Sequence, residues 1–140
     1  PDPRTIHDFY GFPQSLFDVQ YNPPGNPELA EKIAGKVSAK LDYDWGLDHG
    51  TWSVLKYIYP AADVPVIQFS LDRTKSPLQH YQLSQKLQFL RDEDVLIIGS
   101  GNIVHNLRLI NFRNDSGSDW ANSANETLKK SVLADDHESL

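Results

Sequence analysis

Apolar and polar positions change period several times along this chain, and each change marks an element. Leu29, Ile33, Val37 and Leu41 recur every four residues, which places them on one face of a helix. Asn26 precedes that stripe as a capping residue, and Pro27 takes the first helical position, where its missing N–H is harmless. A short buried helix is predicted over Thr51–Tyr59, stopped by Pro60. In Val64–Leu71 the period falls to two. Ile67, Phe69 and Leu71 alternate with Gln68 and Ser70, the pattern of a strand with Pro65 near its start. The next helix begins with Ser76 as cap, Pro77 in the first turn and Gln79 completing a capping box, with Leu83, Leu87 and Leu90 as its stripe. The unbroken apolar run from Val95 to Ile98, between Asp94 and Gly99, predicts a strand over 95–102 buried on both faces. A mostly polar helix closes the pattern over about 119–133.

Helix, strand, helix, strand implies an α/β layered domain. The expected architecture is one domain over residues 1–140, with a central, mostly parallel or mixed sheet flanked by helices and incomplete at both ends. Residues 1–26, rich in proline, glycine and aromatics, form an ordered but irregular entry segment. Ligands of such sheets sit beyond the carboxyl ends of strands, which directs attention to G-S-G-N-I-V-H at 99–105.

Composition narrows the function. The net charge is −6, and no basic stretch supplies the positive face that nucleic acid requires. There is no cysteine, which excludes disulfides, thiolate metal sites and a cysteine nucleophile, and agrees with a reducing, cytoplasmic setting. No apolar run approaches the roughly 20 residues of a membrane span. The chain also lacks methionine and opens on P-D-P-R, so it is expected to be the central part of a longer catalytic domain. The patterns H-E-x-x-H, G-x-S-x-G, G-x-G-x-x-G and the phosphate-binding loop are all missing.

Five histidines remain as candidate chemistry. His105 follows the expected buried strand and a glycine-rich turn. It reads either as an acid/base or metal-binding imidazole, or as a ring hydrogen-bonded to loop carbonyls. His49 lies between Gly46 and Gly50 in D-W-G-L-D-H-G-T-W, a tight loop in which a turn can bring a carboxylate to the ring; the alternative is a turn histidine beside packed tryptophans. His7, in T-I-H-D-F-Y-G-F-P, reads as a loop histidine ordering aromatics. His80 shares the stripe of the helix after Ser76 and is a structural histidine. His137 belongs to an acidic, solvated tail.

Three segments together resemble the class III extradiol ring-cleaving dioxygenases, in the branch that opens DOPA and related catechols. They are T-I-H-D-F-Y-G-F-P at 5–13, W-G-L-D-H-G-T-W-S-V-L at 45–55 continuing through 59–72, and G-S-G-N-I-V-H-N-L-R at 99–108. The resemblance implies an enzyme that cuts a catechol ring beside its two hydroxyls, using O₂ and Fe(II), with Zn(II) able to occupy the same site. It makes His105 and His49 the catalytic pair, with His105 also a tentative metal ligand. His7, Trp52 and Asn102 are implied to contact substrate. The remaining metal ligands of the family have no counterpart between Pro1 and Leu140, so this stretch alone is expected to be inactive. A non-catalytic, metal-free relative acting as a binding module is the alternative, and a zinc hydrolase using Asp48 as base is a third reading. The expected partners are a small catechol and O₂, with no nucleic acid or membrane; an oligomer is compatible with the sequence.

Overall fold

Local capping chemistry fixes where two of the helices, those after Asn26 and Ser76, start. A computed structural model describes residues 2–101, 106–109 and 117–139. The chain divides into two compact units, residues 1–100 and 101–140. In the first unit, α1 (Gln14–Phe17) is a single turn. α2 (Pro27–Val37) begins where the Asn26 side chain accepts the Leu29 N–H at 3.0 Å. It ends at Ser38, whose left-handed φ of 55° turns the chain away, so Leu41 falls beyond the helix. α3 (His49–Ile58) starts two residues earlier than the sequence implies. α4 (Pro77–Gln85) carries the expected capping box, with the Gln79 N–H donating to Ser76 Oγ and the Ser76 N–H donating to Gln79 Oε1. The chain then tightens into a 3-10 helix over Gln88–Asp92. This brings Leu90 into the core although the α4 pattern alone would place it one turn further along the same helix.

Two apolar clusters hold this unit together. Tyr21, Leu47, Trp52 and Leu55 form one, with Phe9, Val19, Tyr59, Ala62 and Val66 packed around them. Ile33 and Val37 of α2 form the other with Leu90, against Leu29, Ile67, Leu83, Leu87, Phe89 and Val95. Thr5 ties the entry segment to the first cluster. Its hydroxyl donates to the Tyr21 carbonyl at 2.9 Å and accepts the Tyr21 N–H at 2.8 Å.

The expected central sheet is absent among the described residues, and the layered α/β reading is corrected to a helical one. The only strand-like pairing among the described residues is an isolated parallel bridge between Thr5 and Leu47, made by Ile6 N–H to Leu47 O and Leu47 N–H to Arg4 O, both 2.8 Å. Gly46 permits this approach, because a Cβ there would lie 2.2 Å from the Arg4 carbonyl oxygen. Among the described residues, 64–71 make a single backbone bond to a distant segment, Val66 N–H to Pro24 O at 2.9 Å. The run after Asp94 is not buried on both faces: Leu96, Ile97 and Ile98 are 66%, 56% and 40% exposed. The physical reason is that alternation marks which side chains suit a sheet face, while a strand forms only when a neighbour accepts its N–H and C=O groups. No such neighbour lies beside either segment among the described residues.

The second unit contains a 3-10 turn at Leu107–Leu109 and α5 (Asp119–Leu133), as the pattern predicts for 119–133. Asp119 in its first turn and Lys130 in its last complement the helix dipole. Among the described residues no helix is long and apolar enough to cross a membrane.

Candidate functional site

The entry segment and the start of α3 converge on one aromatic centre. Phe9 stands in the middle, with ring centroids 5.0 Å from Phe17, 5.4 Å from Phe12, 5.9 Å from His49, and 6.0 Å from both His7 and Trp52. His7 also meets Trp52 edge-on at 5.7 Å. Three residues singled out from the sequence, His7, His49 and Trp52, therefore share one neighbourhood. Each does something different there.

Trp52 is 3% exposed and donates its indole N–H to the Ile6 carbonyl at 2.8 Å. Its polar edge is thus committed to joining α3 to the entry segment, and its ring forms the floor of the cluster. His7 meets the Val19 carbonyl at 2.9 Å through Nε2. A carbonyl only accepts, so this nitrogen carries the proton and Nδ1 is left as the acceptor.

His49 is the open one. Its side chain keeps 55% of its surface exposed, and it sits at the first position of α3. Asp8 Oδ1 receives both the backbone N–H of His49 at 2.9 Å and the ring Nδ1 at 2.8 Å. Partial burial pushes the Asp8 carboxyl up, but the backbone N–H and ring of His49 outweigh it and hold it below the ordinary carboxylate value. At neutral pH Asp8 is therefore an ionised acceptor, and the proton of a neutral His49 ring belongs on Nδ1. Nε2 makes no hydrogen bond among the described residues, and the side chain is more than half exposed.

Asp48, next to His49 in sequence, is occupied elsewhere. Gln68 donates through Nε2 to Asp48 Oδ2 at 2.8 Å. It accepts the Asp48 N–H at 3.0 Å and the Thr51 hydroxyl at 2.7 Å through Oε1. The carboxylate at His49 is thus Asp8, 41 residues away and brought there by tertiary packing and not by a local turn. The Asp48 carboxylate, the base that a zinc hydrolase reading requires, is held by an amide. Ser100 reaches the same helix start, its hydroxyl donating to the Gly50 carbonyl. His80 bonds the Asp72 carbonyl at 2.9 Å through Nε2, a structural contact away from this centre.

His105 and Asn102 lie outside the described residues. Among the described residues no three histidine, aspartate or glutamate side chains come together as a metal-ligand set. The described residues by themselves do not fit a complete metal centre. A cleft of about 680 Å³ opens between Arg4, Ala30, Ile33, Trp45, Ile67 and Phe69, but none of the histidines lines it. The chemistry-bearing groups gather at Phe9 instead.

Sequence reasoning passed over Asp8, Phe9, Gln68 and Thr51. Asp8 and Phe9 lie inside the segment that carries the resemblance, yet no spacing rule links Asp8 to a histidine 41 residues later. Gln68 looked like the polar face of a strand.

The pattern of the catalytic LigB subunit of aromatic ring-opening dioxygenases matches residues 2–138. A protein of Escherichia coli K12 named 4,5-DOPA dioxygenase extradiol is 44% identical over 135 residues, covering 93% of this chain and 50% of the relative. The protein of the same name from Beta vulgaris is 39% identical over 142 residues, covering 97% of this chain and 53% of the relative. The crystal structure of an uncharacterised Escherichia coli K12 protein superposes with a TM-score of 0.76 at 37% identity, covering 93% of this chain and 54% of that one. The chain thus spans about half the length of the relatives it matches.

Proposed function

We propose that this chain, which belongs to the class III extradiol dioxygenase family of aromatic ring-opening enzymes, supplies the proton-handling part of a catechol-opening site. The substrate would be a DOPA-like catechol, consumed with O₂ and cut beside its two hydroxyls, both oxygen atoms ending in the product. One observation carries this reading. His49 presents an Nε2 that is unengaged among the described residues, beside the Phe9 ring, with its other nitrogen held by Asp8.

The residues account for three tasks. His49 Nε2 takes a proton from a catechol hydroxyl and returns it as the ring opens; an imidazole can do both near neutral pH. Phe9, with the half-exposed Phe12 against it, offers aromatic surface for a flat ring beside that nitrogen. His7 adds an Nδ1 acceptor from the same cluster. In this reading His105 is the second acid/base group or a metal neighbour, and Asn102 contacts substrate. Ferrous iron, or zinc in its place, belongs to the proposal through the family alone, since the described residues form no ligand set for it. We place the activity in a protein of the relatives' length.

The test is O₂ uptake by that longer protein, loaded anaerobically with Fe(II) and given DOPA. Stoichiometric uptake with a ring-opened product, slowed about 10²–10⁴-fold by His49→Gln, is expected. Metal bound with no uptake across a range of catechols would overturn the reading.

A further inference from the structure

We propose that Asp8 is the positioning residue of this site, fixing His49 in the Nδ1–H tautomer so that Nε2 is the basic nitrogen offered to substrate. The inference rests on the dioxygenase reading for its purpose, but its geometry stands alone. One carboxylate oxygen accepts two hydrogen bonds from the same residue, the backbone N–H at 2.9 Å and the ring at 2.8 Å. That pair locks the main chain and the imidazole of His49 as one unit, so rotation of the ring breaks a charge-assisted bond.

The position of His49 makes this necessary. It is the first residue of α3, where backbone N–H groups lack helical partners, and the Asp48 side chain gives no cap. The Asp48 carboxylate is turned to Gln68 instead. Without Asp8 the His49 ring, more than half exposed, has no other hydrogen-bond partner among the described residues. Phe9 touches it only edge-on. A free neutral histidine favours the Nε2–H tautomer, which would turn the proton toward substrate and remove the base. Asp8 reverses that preference. It is itself anchored by its neighbours, since His7 is bonded to Val19 and Ile6 to both Leu47 and Trp52.

The tautomer can be read on this chain with no metal and no substrate. Imidazole ¹⁵N shifts of His49, followed upward in pH until they no longer change, distinguish the two neutral forms directly. The expected result is a protonated Nδ1 and an unprotonated Nε2, shifting toward Nε2–H in Asp8→Ala. Asp8→Asn keeps an oxygen for the His49 N–H and so preserves the helix start. It is expected to give a smaller shift in the same direction, with an unchanged amide spectrum. A wild-type ring already in the Nε2–H form would overturn the proposal. So would a ring that stays Nδ1–H in both variants. Neither result bears on O₂ uptake, so the failure of this inference and the failure of the dioxygenase reading can be told apart.

Discussion

The Phe9 centre and the two apolar segments at 64–71 and 95–100 differ in how their side chains are used: the segments pack only Val66, Ile67 and Val95 against the apolar clusters. Around Phe9, side chains from residues 4–21 and 45–59 bury one another and exchange specific bonds, Trp52 to Ile6, Thr5 to Tyr21 and Asp8 to His49. Among the described residues the two apolar segments together make one long-range backbone bond, Val66 to Pro24, and they leave Leu71, Leu96 and Ile97 mostly in solvent. A site of this kind needs only a few long-range side-chain contacts, each satisfied within the chain. A sheet needs a continuous partner for every other N–H and C=O, and among the described residues none is present.

The sharpest way to break that contrast is to remove one large side chain from each region. Trp52→Ala empties a buried site and strips the Ile6 carbonyl of its donor; it is expected to cost about 3–5 kcal/mol. Ile97→Ser should stay within about 0.5 kcal/mol. Denaturant unfolding of both measures the difference, and equal losses would erase the distinction between the regions.

Gly46→Ala probes the backbone bridge that links the entry segment to Leu47, just before α3. Its Cβ would meet the Arg4 carbonyl oxygen, which is backbone and cannot swing aside. A loss of about 1–3 kcal/mol is expected, as for overpacked sites. Thermal unfolding and the amide shifts of Thr5 and Leu47 report it. Unchanged values for both would show that the bridge does not tie the two segments.

The smallest effect is electrostatic. The folded-state pKa of Asp8 is below its ordinary value of 3.8. Its ionised form therefore stabilises the fold fully above that value, and the contribution disappears as pH falls through the lower folded-state pKa. The site is open to solvent, so the difference between wild type and Asp8→Asn should be under about 1 kcal/mol near neutral pH. It should shrink below about pH 4. A difference that grows on acidification would contradict the Asp8–His49 pairing.

Legibility in the sequence followed the range of the interaction. Asn26 and Ser76 were readable as caps because each bonds a backbone group three residues away, at Leu29 and Gln79. The segments bearing His7, His49 and Trp52 were readable because their residue order resembles that of catechol-opening enzymes, and the family comparisons agree. The sheet was misjudged at 64–71 and 95–101 because alternation describes a surface and not the neighbour that must cover it.

The sequence by itself determined the starts of α2 and α4, through caps that bond a backbone group three residues away, and the family, through residue order. Only the tertiary structure decided that Asp8, not Asp48, holds His49. It also decided that Gln68 serves Asp48, and that Phe9 is the hub joining His7, His49 and Trp52. These choices are made by side chains brought together from distant positions. A hydrogen bond 2.8 Å long between residues 41 positions apart leaves no periodic trace in the chain.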